Sequence, residues 1–164
     1  MNVALGGTFD PVHDGHRQLF ERAFELGDVT VGLTTDELAP KTRHVDRYVR
    51  PYEAREHDVE AEIAPIAASR DREFAIRPLD TPTGIAVEPG FDALVVSPET
   101  RGGAKRINEI RESRGHDPLE VVVVDHVLAD DGDRISSTRI LAGEIDEHGR
   151  LTPDRAGRGA TPPE

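Results

Sequence analysis

The chain has 164 residues, no cysteine and a formal net charge of −12, from 32 acidic and 20 basic residues. It is long enough for one domain with a real hydrophobic core. The missing cysteines exclude a disulfide framework, a thiolate metal site and a cysteine nucleophile, and the negative field excludes non-specific binding to DNA or RNA.

In chain order, residues 3–5 form a short apolar run that reads as a buried strand. A glycine-rich turn follows over residues 6–16, Gly-Gly-Thr-Phe-Asp-Pro-Val-His-Asp-Gly-His, and then an amphipathic helical stretch over 19–26. Residues 29–33 read as a second buried parallel strand, and the loop after it carries Lys41 in Ala39-Pro40-Lys41-Thr42-Arg43. A helix is predicted over 52–68, opened near Pro51, and a weaker strand over 74–79. Two more β-branched runs, 93–96 and 121–124, flank a polar helix at about 104–113 that stops before Gly115. Residues 135–142 read as a short helical turn opened by Ser136. This alternation predicts one doubly wound α/β domain over 1–151 with a five-stranded parallel sheet. Residues 152–164 lack apolar content and are expected to form a frayed tail. No run reaches the length of a membrane span, and Met1 leads straight into a strand instead of a signal sequence. A cytoplasmic location and no membrane partner are therefore expected.

In such sheets, ligands bind beyond the carboxyl ends of the strands. Residues 6–16, 34–41, 97–103 and 125–137 all fall at that edge. The first of them is the strongest signal. A helix N-terminus presents unpaired N–H groups and the positive end of a dipole, glycines let a polyanion approach the backbone, and His13 and His16 add donors. The combination reads as a seat for a nucleotide's phosphates. Two satisfied surface histidines in a tight turn, or a metal held by Asp10, His13 and His16, are the competing readings. The metal is disfavoured, because no third histidine or cysteine lies nearby. A phosphate-loop motif and a Gly-x-Gly-x-x-Gly fingerprint are both absent. The hydroxyls of Ser136, Ser137 and Thr138, with Arg139, read either as a helix cap or as a second anion seat. In Ser97-Pro98-Glu99-Thr100-Arg101-Gly102-Gly103-Ala104-Lys105 the glycines suggest close backbone approach, and Arg101 and Lys105 add positive charge.

Gly7-Thr8-Phe9-Asp10-Pro11, His13-Asp14-Gly15-His16 and Ile135-Ser136-Ser137-Thr138 resemble the signatures of the His-x-Gly-His nucleotidylyltransferases. Ser97-Pro98-Glu99-Thr100, Gly102-Gly103, Asn108 and the Lys41 segment make the chain similar to the archaeal and eukaryotic type of phosphopantetheine adenylyltransferase. The resemblance covers about residues 1–147. Bacterial relatives carry a threonine where His13 stands. The resemblance implies a Rossmann-like nucleotidylyltransferase fold and transfer of adenylyl from ATP to 4′-phosphopantetheine, giving dephospho-coenzyme A and pyrophosphate. It also implies residue roles. Gly7, Thr8, Phe9, His13, Gly15 and His16 would bind ATP, with His16 the main donor in the transition state. Thr8 and Phe9 would line the nucleotide–acceptor junction, and Lys41 would hold the acceptor phosphate or the α-phosphate. Ser136, Ser137, Thr138 and Arg139 would seat the β- and γ-phosphates, and Arg101 and Lys105 would serve the acceptor. Mg²⁺ would bridge triphosphate oxygens, keep waters as its remaining ligands and need no protein metal site.

FMN and nicotinamide mononucleotide also present a phosphate to ATP, so adenylyltransferases for either remain alternatives, as does a non-catalytic nucleotide sensor. A ring-stacking acceptor pocket asks for aromatics, and this chain is only 4% aromatic, with no tryptophan. Lys41 and Lys105 are its only lysines, and the acid-rich, lysine-poor surface suggests adaptation to high salt. Salt screens repulsion between surface carboxylates. The thermal midpoint is therefore expected to rise as KCl is raised to molar levels, and a midpoint indifferent to KCl would overturn that expectation.

Overall fold

A computed structural model describes residues 1–42 and 49–152, with the backbone alone at 41 and 42. Residues 153–164 of the expected tail lie outside the described residues. Five parallel strands, β1 (Asn2–Gly7), β2 (Asp28–Thr34), β3 (Phe74–Leu79), β4 (Ala93–Val96) and β5 (Glu120–Val123), form one sheet in the order β3-β2-β1-β4-β5. The chain winds outward from β1 to β3, then returns to β4 on the other side of β1. The crevice between the carboxyl ends of β1 and β4 is thus the topological switch point, where such sheets bind ligands.

Alternation along the strands sends side chains to two cores. On one face, Val3 and Leu5 of β1, Val29, Val31 and Leu33 of β2 and Ala93 and Val95 of β4 meet two helices. These are α1 (Asp14–Leu26), through Phe20, Ala23 and Phe24, and α3 (Tyr52–Ser69), through Val59, Ile63 and Ala67. On the other face, Ala4, Leu94 and Val96 pack on a 3₁₀ turn (Gly84–Val87), on Leu119 and on Ala104 and Ile107 of α4 (Arg101–Ser113). Two short helices complete the set, α2 (Ala39–Thr42) and α5 (Ser137–Leu141). A third, small core of Ala129, Ile135 and Ile145, backed by Val127, Ile140 and Leu151, lies in the C-terminal segment. Single antiparallel bridges, Leu128 to Arg134 and Ile145 to Leu151, fold that segment on itself.

The structure moves several boundaries, mostly by a residue or two. α1 starts at Asp14, because His13 is already its cap. β5 runs one residue earlier than predicted, although Val124 N–H still donates to the Val96 carbonyl. The larger change is at α4, which begins at Arg101 instead of about 104. A 3₁₀ turn (Pro98–Thr100), closed by reciprocal Ser97–Thr100 hydrogen bonds, feeds straight into it. Gly102 and Gly103 therefore sit in a first helical turn. Among the described residues a Cβ on either would meet nothing within 4 Å, so no close backbone approach there comes from them.

Two buried arginines fasten the loops to the sheet. Arg55 of α3 is 0% exposed and donates to the carbonyls of Arg50 (2.8 Å) and Thr8 (3.3 Å), the Thr34 hydroxyl (3.2 Å) and Asp36 (3.0 Å). Arg111 of α4 donates to the carbonyls of Asp117, Ala86, Glu88 and Phe91. A planar fork of five donors suits a cluster of carbonyls in a way a lysine cannot. Replacing Arg111 by Met keeps the aliphatic stem but strands those carbonyls. The expected loss is about 3 kcal/mol of unfolding free energy, read from urea denaturation.

Candidate active site

The loop between β1 and α1 is shaped by its own side chains. His13 has extended backbone angles, and its Nδ1 accepts the N–H of Gly15 at 3.0 Å. The N–H of His13 in turn donates to Nδ1 of His16 at 3.2 Å. This is a reciprocal capping box, with two imidazoles in place of the usual hydroxyl and carboxylate. An Nδ1 that accepts a hydrogen bond cannot carry the proton. Each ring is therefore assigned its proton on Nε2, which it presents as a donor. The rings stack, with centroids 3.8 Å apart and planes 20° apart.

Each glycine between these groups is required by a ring. A Cβ on Gly15 would lie 2.8 Å from the His13 imidazole, and one on Gly7 would lie 2.8 Å from the Phe9 ring. Phe9 holds a left-handed backbone (φ 52°), which turns its ring inward. That ring is 2% exposed and meets His16 edge-on at 4.9 Å and Phe20 at 5.2 Å. Phe9 thus packs against His16 and supports its ring.

Other elements complete the edge. Thr8 pairs hydroxyls with Thr34 at 2.8 Å, joining the ends of β1 and β2. Asp10, 4% exposed and weighed above as a metal ligand, accepts from the backbone N–H (2.8 Å) and Nε (2.7 Å) of Arg50. Lys41 falls on α2, beyond the carboxyl end of β2. Arg101 and Lys105 lie exposed on α4 and pair with no carboxylate among the described residues. Nor does any group of three or more His, Asp or Glu side chains there form a metal-holding cluster.

The second predicted seat divides its tasks. Ser136 caps α5 by accepting the Arg139 N–H, and Ser137 donates to the Pro11 carbonyl at 2.8 Å, which joins this seat to the histidine loop. Thr138 is exposed. Arg139 donates to the Arg134 carbonyl (2.9 Å), pairs with Asp131 and lies 3.6 Å from Glu144. It braces the C-terminal segment. Arg134, which the sequence reading passed over, pairs instead with Glu99 across the two loops. Its one sequence signal is its place directly before Ile135-Ser136-Ser137.

A further tie runs from Asp14, whose N–H donates to the Glu147 carbonyl and whose carboxylate meets Arg17 and His148. Burial pushes the Asp14 carboxyl up, but the hydrogen bonds from Arg17 and His148 outweigh it and hold the group below its ordinary value.

Burial, and then the Arg17 charge, lower the His13 pKa to about 4. The ring is therefore a neutral donor at physiological pH. Between pH 6.5 and 4 the unfolded chain binds this proton and the folded chain does not, so His13 makes stability rise with pH across that window. An NMR titration of its ring protons is expected to show a midpoint near 4. Replacing His13 by Gln is expected to flatten the slope of stability against pH by up to about 1.4 kcal/mol per unit.

A family model described as cytidylyltransferase-like matches residues 4–143. The phosphopantetheine adenylyltransferase of Methanosarcina acetivorans is 47% identical, over 91% of this chain and 94% of the relative. That of Archaeoglobus fulgidus is 41% identical, over 92% and 99%. A solved structure described as a protein of unknown function from Archaeoglobus fulgidus superposes with a TM-score of 0.66 at 38% identity, covering 76% of this chain and 90% of that one. Those matches and the paired histidines at the head of α1 agree, and the chain belongs to the cytidylyltransferase-like family, in its phosphopantetheine adenylyltransferase branch.

Proposed function

We propose that the protein transfers the adenylyl group of ATP to 4′-phosphopantetheine, forming dephospho-coenzyme A and pyrophosphate in coenzyme A synthesis. The observation that carries this reading is the double use of His13 and His16. Each ring caps α1 through Nδ1, and the tautomer this fixes puts its proton on Nε2. Two stacked donors at the N-terminus of a thirteen-residue helix form a preorganised seat for an α-phosphate that gains charge in its transition state.

The acceptor's phosphate monoester has a second pKa near ~6 and is largely dianionic at neutral pH. It attacks the α-phosphorus in line, and the bond to the leaving pyrophosphate breaks. No general base is needed, so the protein's task is alignment and charge stabilisation. In this reading Ser136, Ser137 and Thr138 would hold the leaving pyrophosphate, and Thr8 and Lys41 the acceptor. Mg²⁺ supplies charge neutralisation on the triphosphate oxygens. The residues present suit an ion held by the nucleotide, because Asp10, the buried carboxylate nearest the histidines in sequence, is bound to Arg50.

The test is pyrophosphate release from Mg·ATP with 4′-phosphopantetheine, FMN and nicotinamide mononucleotide offered separately. Release with the first alone is expected, together with a loss of about 10²–10³ in turnover for His16→Ala. Release only with another acceptor would overturn the assignment, and normal turnover in His16→Ala would remove His16 from the mechanism.

A further inference from the structure

The pair between Arg134 and Glu99 is placed oddly for an acidic protein that handles polyphosphates. Glu99 lies in the 3₁₀ turn at the carboxyl end of β4, and Arg134 immediately precedes Ile135. Their contact therefore joins the turn after β4 to the segment that carries Ser136 and Ser137. Both side chains are about half exposed, at 42% and 46%, so neither is fixed by burial. Both charges act on the buried His13 ring, Glu99 favouring its protonation and Arg134 opposing it. The pair therefore stands within electrostatic reach of the α1 seat. Arg139, by contrast, is held by Asp131, Glu144 and the Arg134 carbonyl.

A carboxylate at the rim of a polyanion site repels the ligand unless an arginine neutralises it. An arginine with no ligand to bind, in a chain of net charge −12, will meet some carboxylate. Here one contact meets both conditions. An exposed ion pair is weak, and a polyphosphate offers the same guanidinium a bidentate, more highly charged partner.

We propose that Arg134 is a phosphate-contacting cation on the pyrophosphate side of this site, and that Glu99 is a positioning residue that occupies its guanidinium until a polyphosphate displaces it. The proposal rests on the adenylyltransferase reading for the direction of the ligand. Entry of ATP breaks the Glu99 contact, and departure of pyrophosphate restores it. Glu99 thus competes with the product for Arg134 and favours its release.

Two substitutions separate this from a merely structural latch. A latch between loops loses the same thing whichever partner is removed, so both variants would weaken binding. A competing carboxylate gives opposite signs. Calorimetric titration with Mg·ATP, and separately with inorganic pyrophosphate, is run on the full chain and on Glu99→Gln, Arg134→Gln and Arg134→Lys, with thermal melts to verify folding. Arg134→Gln is expected to weaken both ligands by about tenfold, with partial recovery in Arg134→Lys. Glu99→Gln is expected to tighten both by about threefold at low ionic strength, and the gain should shrink in molar KCl. Shifts of one sign in both variants, or no shift in either, would overturn the proposal. Opposite shifts without transfer to phosphopantetheine would keep Arg134 in this role and remove the acceptor assignment. Transfer without the shifts would do the reverse, and a wild-type chain that binds neither ligand would remove both.

Discussion

The guanidinium of Arg55 holds together the half of the site built on β1 and β2. It sits at 0% exposure beneath three separate pieces of chain. Its donors reach the Thr8 carbonyl after β1, the Thr34 hydroxyl at the end of β2, and the Arg50 carbonyl ahead of α3. Arg50 then carries the connection on to Asp10. A buried charge is tolerable only when its donors are met, and these loops fold where they can meet them. The position of Thr8 relative to His13 is thus set by a residue on a helix behind the site. Arg111 acts similarly on the α4 face, where it gathers four carbonyls around the 3₁₀ turn that supplies Ile85, Ala86 and Val87.

The parallel strands were legible because a buried strand is dense in aliphatic and β-branched residues; Val3–Leu5 and Ala93–Val96 are unbroken apolar runs, and Val29–Leu33 is interrupted only by Thr30 and Gly32. The two arginines were not legible. Arg55 and Arg111 sit in helices rich in Glu and Arg, where each looks like one more solvated charge, and the carbonyls they serve are spread over 20 or more positions of the chain. The start of α4 was misplaced for a related reason. Gly102-Gly103 reads as a loop by propensity, but the Ser97–Thr100 cap fixes the entry to the helix ahead of them. The C-terminal core was missed because it is assembled from single residues, Ala129, Ile135 and Ile145, too far apart to give a period.

At the histidines, the bland and the functional readings of the sequence turn out to be one arrangement. His13 and His16 are satisfied residues of a tight turn, and that satisfaction fixes their tautomers. Each backbone N–H that binds an Nδ1 directs a proton to the opposite side of the ring. Gly15 follows from the same geometry, since the His13 ring occupies the space its side chain would need. The spacing of the His-x-Gly-His signature is therefore accounted for by cap geometry alone, before any ligand is considered.

Among the described residues the C-terminal core has three buried aliphatic residues, against fifteen buried residues in the core between the sheet, α1 and α3. The segment that carries Ser136–Thr138 thus folds on a much smaller apolar reserve than the segment that carries the histidines. It is attached through Ser137 to Pro11 and through Glu147 and His148 to Asp14. Free energies of opening follow such differences. The Ser136–Thr138 segment is therefore expected to open at a lower free energy than the sheet, and any ligand that touched both would resist that opening.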